Sequence, residues 1–488
     1  MSTLDAVIDT TGAIHRLAPE PLGRGGQGVV FRTRSPDIAV KLITTGALPE
    51  RGDGDSPGRR LESILASRTF EPRKDERAHS ELKQRLDDVR LLPLEDLQIA
   101  RPVALLKKHA GYAMRLLTDM EPIRALIAPA GTEELAEFYI HTGGLRRRLR
   151  ILARTAGLMS RVHAIPAVYG DLSPNNVFVS EDLAQAEVWL IDPDNLRLEG
   201  ARGPTVYTPG FGAPEVMQGR SRATTLSDAW AFAVLAFQVL CQAHPMLGEL
   251  VEEGGWEESV DLEAKAFDGE LPWMHDEGDD SNYGEFGIYP RELVLSPRLT
   301  ELFQRALGPG RTDPASRPSM LEWAEVFQQA ADLTLSCPDC RSTSYVSARG
   351  CAWCDSTKVP SFLYVQIKRW HPEVDEDLAP AGSAVAHLVL DGTAKQAHVP
   401  RRLLVPSLPR HGAEDYLRLN PTRRGIRITP VAGGPYLLVE TETGRITDLS
   451  GPLDLPLPIA GREWHLHCGP VDKYHRVASF RYFPEGRR

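Results

Sequence analysis

Apolar and polar positions along the chain fall into three regimes. Between about residues 18 and 332, short apolar runs of strand length alternate with segments of helical spacing, the pattern of an α+β domain. The run Ile-Ala-Val-Lys-Leu-Ile at 38–43 reads as a strand. Residues 75–90 read as a helix, because Ala78, Leu82, Leu86 and Val89 recur on one face. Residues 229–240 form the longest apolar stretch, shorter than the roughly 20 residues that cross a bilayer. A short cysteine-bounded segment, 337–354, comes next. From about Pro360 onward, alternating runs such as SFLYVQIKRW, AVAHLVLDG, GIRITPV, PYLLVE, EWHLHC and RVASFRYF stand between Gly, Pro and Asp signals, which is how a small all-β domain reads. The expected organisation is an amino-terminal extension at 1–17, an α+β domain at 18–332, a cysteine module at 333–358 and an all-β domain at 359–488. Two polar stretches interrupt it: RGDGDSPGRR from Arg51 reads as a loop, and the acidic 252–280 as a solvated insertion.

Composition narrows the function classes without choosing one. A length of 488 residues predicts about three domains. With 42% hydrophobic and 25% charged residues, the chain has the make-up of a globular protein with a real core. Lys+Arg 56 against Asp+Glu 66 leaves a net charge of -10, which argues against a general nucleic-acid or anionic-membrane binder, whose affinity rests on neutralising phosphates. The opening MSTLDAVIDTTG lacks the basic and apolar segments of a secretory signal, so a cytoplasmic location is expected. Four of the six cysteines form the pairs Cys337-x-x-Cys340 and Cys351-x-x-Cys354. Two such knuckles supply the four thiolates that tetrahedral zinc takes in a structural zinc ribbon; a pair of redox dithiols is the alternative. Cys241 and Cys468 read as small buried residues.

Candidate phosphate chemistry lies near the start. Gly23-Arg24-Gly25-Gly26-Gln27-Gly28-Val29-Val30 precedes the strand that carries Lys41. Gly23, Gly25 and Gly28 let a hairpin close over phosphates and offer backbone N–H groups with no side chain in the way. Alone, such glycines also make ligand-free turns and dinucleotide sites. A lysine held one strand later adds a cation that can reach the α- and β-phosphates of a nucleotide. Farther on, Asp171 precedes Asn176 by five residues, and Asp192 ends the apolar run Val188-Trp189-Leu190-Ile191. Two carboxylates and an amide in this order can position a hydroxyl and hold magnesium against a triphosphate.

This set resembles the protein-kinase family. Asp171 matches the catalytic-loop aspartate, Asn176 the metal-binding asparagine and Asp192 the first residue of Asp-Phe-Gly. Thr208-Pro209-Gly210-Phe211-Gly212-Ala213-Pro214-Glu215 resembles the Ala-Pro-Glu end of an activation segment, the surface on which a peptide is laid. Asp228 resembles the aspartate that opens the family's buried central helix, and Arg317 the arginine that pairs with Glu215. The resemblance covers about residues 23–326 and implies a bilobal fold, with an N-lobe at about 18–117 and a C-lobe at about 118–332. It implies ATP and Mg2+ as cofactors, with Gly23, Gly25, Gly28, Val30 and Lys41 on the nucleotide, Asn176 and Asp192 on the metal, and Asp171 accepting the substrate's proton. It also implies an ion pair between Lys41 and a carboxylate of the 75–90 helix. Glu81, at the edge of the apolar stripe, is the better match and Glu76 the other; the plain alternative for either is an exposed helix charge. Thr208 points to Ser/Thr protein substrates.

The sequence also departs from the family pattern. Tyr169-Gly170-Asp171 replaces His-Arg-Asp, so no arginine answers a phosphate on the activation segment, and Thr205 and Tyr207 read as ordinary loop residues. Ser173 replaces the usual lysine. In Asp192-Pro193-Asp194, Pro193 fixes its own φ, and Asp194 has three possible fates: metal ligand, turn cap or solvated charge. Gly-Asp-Leu-Ser-Pro-x-Asn with Asp-x-Asp and a following zinc module is similar to a bacterial group of Ser/Thr-kinase-like proteins of tellurite-resistance-type and von Willebrand A (VWA) stress systems. That resemblance implies a PP2C-type phosphatase and a VWA-domain protein as partners. The region after Pro360 resembles a small β-sandwich of forkhead-associated (FHA) type, without a Gly-Arg, Ser, His and Asn set for phosphothreonine. Its Arg401, Arg402, Arg410, Arg423 and Arg424 gather into an anion site or form a solvated face. Three functions follow: a protein kinase with docking modules, a pseudokinase scaffold left open by Ser173 and Asp194, and a small-molecule kinase, disfavoured by the Ala-Pro-Glu segment.

Overall fold

The computed structural model describes residues 5–25, 28–43, 76–201, 206–254, 256–376, 378–391, 396–405, 415–422, 425–431, 436–456 and 463–486. The loop expected from Arg51, Thr205, and Arg410, Arg423 and Arg424 lie outside them, as do the side chains of Glu76 and Ala78.

Alternation along one strand organises the first lobe. The strands β1 (Ala6–Ile8), β2 (Ile14–Gly25), β3 (Gly28–Thr33), β4 (Ile38–Ile43), β5 (Ala104–Leu105) and β6 (Gly111–Arg115) form one antiparallel sheet in the order β1-β2-β3-β4-β6-β5. Side chains on a strand point alternately to opposite faces. On β4, Ala39 therefore packs with Leu82 and Leu86 of helix α1 (Glu76–Leu91), while Val40 and Leu42 pack with Val7, Leu106 and Ala113 on the far face. Lys41 shares parity with Ala39 and is thereby directed into the interior on the helix side. Val7 belongs to the expected extension, which is in fact part of the lobe: β1 pairs with β2, and an antiparallel bridge joins Asp9 to Leu106 beyond β5. The intervening turn is held by Asp9, which accepts from the backbone N–H of Thr11 (2.9 Å) and Ala13 (3.0 Å) and contacts His15 at 2.8 Å.

The second lobe is helical. Helices α2 (Leu135–His141), α3 (Gly144–His163), α4 (Thr225–Cys241), α5 (Pro297–Leu307) and α6 (Met320–Asp332) surround one large apolar cluster. The apolar 229–240 run lies in α4, whose Ala229 through Phe237 and Val239 through Cys241 are all buried. A capping box between Thr224 and Ser227 starts that helix. The acidic 252–280 segment is not wholly solvated. It contains a helix, Trp256–Phe267, and buries Trp273 edge-on against Phe237, so its apolar residues anchor what its charges expose. Among the described residues no helix is long and apolar enough to cross a membrane.

Short strands β7 (Met120–Pro122), β8 (Ala167–Val168), β9 (Val177–Ser180), β10 (Val188–Leu190) and β11 (Arg197–Leu198) form two small sheets, β10-β9-β7 and β11-β8. They fix the ends of the segments 169–176 and 191–196. The cysteine module follows α6 directly, as a β12 (Thr334–Ser336) and β13 (Thr343–Tyr345) pair.

After it come two β-sheets. One has the order β15-β14-β23-β22-β19-β20, with β14 Phe362–Trp370, β15 Ala386–Asp391, β19 Leu437–Glu440, β20 Ile446–Asp448, β22 Trp464–His467 and β23 His475–Phe483. The other is β16-β17-β18-β21, with β16 Ala397–Pro400, β17 Asp415–Thr422, β18 Gly425–Pro430 and β21 Leu453–Pro456. Val365, Ile367, Leu466 and Ala478 of the first share a core with Leu417, Leu419 and Ile428 of the second, as in two stacked sheets. This sandwich is fastened to the helical lobe by buried Arg402, which meets Asp332 of α6 at 2.7 Å, and by Arg146 of α3, 3.0 Å from Asp391. Arg402 is thus committed to an internal ion pair rather than to an anion site.

Candidate functional site

The glycine-rich segment is a hairpin. Gly23 pairs with Val30 and Gly25 with Gly28, so the run joins strand to strand, as phosphate-covering hairpins do, and not strand to helix. Gly28 has a second reason to lack a side chain: a Cβ there would lie 2.3 Å from the Leu42 carbonyl of β4. Close strand packing by itself thus requires glycine at position 28.

Opposite Lys41 on β6 stands Tyr112. Lys41 Nζ lies 2.9 Å from Asp192 Oδ1 and 2.7 Å from Asp194 Oδ2, and the Tyr112 hydroxyl donates to Asp194 Oδ1 at 2.8 Å. Lys41, Tyr112 and Asp194 are all buried. Burial works against the charge of Lys41, but Asp194 and Asp192 overcome it and hold the ammonium's pKa above its ordinary value. Burial, together with the negative charge of Asp194 and Asp192, keeps Tyr112 protonated and donating. The expected partner Glu81 is exposed, and Lys41 is paired with the two aspartates instead. The physical reason is proximity: the 3-10 turn Pro193–Asn195 bends Asp194 back beneath β4.

The loop 169–176 is held from below. Asp228, in the first turn of α4, accepts from the backbone N–H of Tyr169 (2.8 Å) and Gly170 (2.9 Å), and His163 Nε2 lies 3.1 Å from it. Gly170 has φ 83, a left-handed value that glycine takes without strain. The Tyr169 hydroxyl donates to the Ile191 carbonyl, tying the loop to the strand end that presents Asp192. Asp171 then receives two hydrogen bonds, from Thr208 Oγ1 at 2.8 Å and Asn176 Nδ2 at 3.1 Å. Burial raises its pKa, and these two donors only partly offset the shift. Asn176 and Ser173 are buried, and Asp192 sits in a left-handed conformation with its side chain 28% exposed.

The donor set fits a hard cation. Asn176 engages its amide nitrogen with Asp171, which leaves the amide oxygen for a metal, and Asp192 engages Oδ1 with Lys41, which leaves Oδ2. Oxygen donors of this kind suit Mg2+. The segment beyond is anchored as the motif implied: Arg317 makes a bidentate pair with Glu215, both contacts 2.8 Å, and Gly210 is bonded to His244. Tyr207 is 39% exposed.

The four paired cysteines converge. Cys337 and Cys354 Sγ lie 3.7 Å apart, Cys340 and Cys351 Sγ 3.6 Å, and all four sulfurs fall within 4.8 Å of one another. A zinc–sulfur length of about 2.3 Å gives a tetrahedron with edges of about 3.8 Å, so these separations suit one ion. The two knuckles repeat each other: Cys337 N–H donates to Ser342 and Cys351 N–H to Ser356, both at 2.8 Å, and Arg341 and Asp355 take matching positive φ values of 62 and 54. Trp353 stacks on Tyr139 of α2 at 4.6 Å.

Sequence reasoning missed Tyr112 and left the role of Asp194 open. No local pattern marks a tyrosine across the sheet from Lys41; only strand register brings the two together.

No family model matches the chain. Over 229 residues it is 27% identical to the serine/threonine-protein kinase PknK of Mycobacterium tuberculosis, and equally to that of Mycobacterium bovis; the match covers 45% of this chain and 17% of those kinases. It is 32% identical over 104 residues to CBL-interacting protein kinase 4 of Oryza sativa, covering 20% of this chain and 23% of that one. Among solved structures, the ROP18 kinase domain in complex with AMP-PNP and sucrose aligns with a TM-score of 0.40 at 16% identity, over 67% of this chain and 83% of that one. The chain is thus homologous, over part of its length, to bacterial Ser/Thr kinases.

Proposed function

We propose that the chain is an ATP- and Mg2+-dependent protein kinase that phosphorylates serine or threonine hydroxyls. The observation that carries this reading is that Lys41 pairs with Asp192, whose charge is felt by Asp171, and that Asp171 is held by Asn176 and Thr208. In this reading Asp171 orients the substrate hydroxyl and takes its proton, while Lys41 aligns the α- and β-phosphates beneath the Gly23–Gly28 hairpin. Asn176 and Asp192 hold Mg2+, which neutralises charge on the phosphates. The segment ending at Glu215, pinned by Arg317, presents the peptide. The four cysteines hold a structural zinc, and the carboxyl-terminal sandwich, FHA-like in outline, docks a partner. A cytoplasmic location fits this chemistry, and the motif resemblance makes a PP2C-type phosphatase and a VWA-domain protein the partners to test.

The test is transfer of labelled γ-phosphate to the chain itself and to generic protein substrates, beside Asp171→Ala. Transfer by the native chain and loss of at least about a hundredfold in the variant is the expected result, the scale typical of a positioned base. Nucleotide binding without transfer, in the presence of candidate partners, would instead establish a scaffold, and label appearing only in a metabolite extract a small-molecule kinase.

A further inference from the structure

We infer that Asp194, and not Glu81 of helix α1, is the residue that positions Lys41 for nucleotide. This deepens the kinase reading and rests on it. Three observations carry it. Lys41 Nζ is 2.7 Å from Asp194 Oδ2, its shortest ion pair among the described residues. The second oxygen of Asp194 is fixed by Tyr112 at 2.8 Å, so the carboxylate is held from two strands at once. The Asp194 side chain is 4% exposed and that of Lys41 2%, whereas Glu81 faces solvent.

The electrostatics make the arrangement self-consistent. A buried ammonium needs a buried counter-charge, and a buried carboxylate needs its lone pairs engaged. Lys41 and Tyr112 supply both needs for Asp194. Asp192 also touches Lys41, but it is the more exposed of the two and keeps an oxygen for metal. Asp194 is therefore a positioning residue, with the motif that carries the metal ligand also setting the lysine two residues on. The lysine's ion pair then does not depend on the Glu81 carboxylate.

The test compares Asp194→Asn, Tyr112→Phe and Glu81→Gln in the full chain. Asp194→Asn is expected to raise KM for ATP at least about fivefold and lower kcat/KM about tenfold or more, with KM for the protein substrate within about twofold. A smaller folded fraction would lower kcat and leave both KM values alone. Tyr112→Phe, which removes one hydrogen bond and little volume, should move KM for ATP in the same direction by a smaller factor. A larger effect of Glu81→Gln than of Asp194→Asn would overturn the inference.

Acylation of Lys41 by an amine-specific reagent, followed by peptide mass spectrometry without nucleotide, reads the same pairing independently of turnover. Asp194→Asn should speed it several-fold more than Glu81→Gln does, and equal rates in the two variants would overturn the inference. Labelling that responds to Asp194 in a native chain that neither binds ATP nor transfers phosphate would leave the pairing intact and remove the kinase reading.

Discussion

His244 uses both ring nitrogens: Nε2 lies 3.0 Å from the Gly210 carbonyl, and Nδ1 accepts from the Met246 backbone N–H at 3.2 Å. Only the neutral ring protonated on Nε2 satisfies both contacts. Burial pushes its pKa down from 6.5 to about 4. In that window the unfolded chain binds a proton that the folded chain refuses, so the stability His244 contributes is complete above about pH 6.5 and declines as pH falls toward about 4. The melting temperature of the native chain should therefore fall more steeply than that of His244→Gln between those limits. Amide exchange at 208–212 should quicken over the same range. Equal slopes for native and variant would show that the ring is not a buried neutral anchor. At this scale the sequence was partly readable. Asp171, Asn176 and Asp192 stood out because their spacing is local, and the Arg317–Glu215 pair because both residues sit in recognisable motifs. Tyr112, His163 and His244 could not, since each acts through a contact set by tertiary packing.

Among elements, those with strong internal periodicity were legible: α1, the strand around Lys41, and the alternating strands after Pro360. The β1 strand was not, because its three residues carry too little pattern to separate from a tail, and the sheet that receives it is assembled from distant sequence. The acidic 252–280 segment misled for a related reason: its charges dominate the composition, while Trp273 and Met274 decide the packing. The convergence of the four cysteines was legible in their paired spacing. Metal analysis should find about one zinc per chain, and Cys340→Ser together with Cys354→Ser should remove it. Because Trp353 of the second knuckle stacks on Tyr139, zinc removal should also change tryptophan emission and lower the melting temperature. The emission change should vanish in Trp353→Phe. Zinc loss with unaltered melting would mean that the knuckles hold their shape without the ion.

At the scale of the whole molecule, the sandwich is joined to the helical lobe through charged residues removed from water. Arg402 and Asp332 are each about 5% exposed in their side chains. Asp391 accepts from Ser336 N–H at 3.0 Å as well as meeting Arg146. Removing one partner of a buried pair leaves the other charge stranded, at a cost of about 3–5 kcal/mol. Arg402→Ala should accordingly split a single calorimetric unfolding transition into two, with the sandwich melting first. Arg402→Ala together with Asp332→Ala, which removes both charges of the pair, should restore much of the loss. One undivided transition in both variants would show that apolar contacts alone couple the two bodies.

The order of strands in the larger carboxyl-terminal sheet bears on how the chain is made. The strand 475–483 is inserted between 362–370 and 464–467, with nine residue pairs to the former. During synthesis the helical lobe can condense while later residues are still emerging, since its elements are complete by residue 332. The sandwich has no such option: its middle is supplied last, so until residue 483 has left the ribosome the strand 362–370 presents an unpaired edge to its neighbours in the cell.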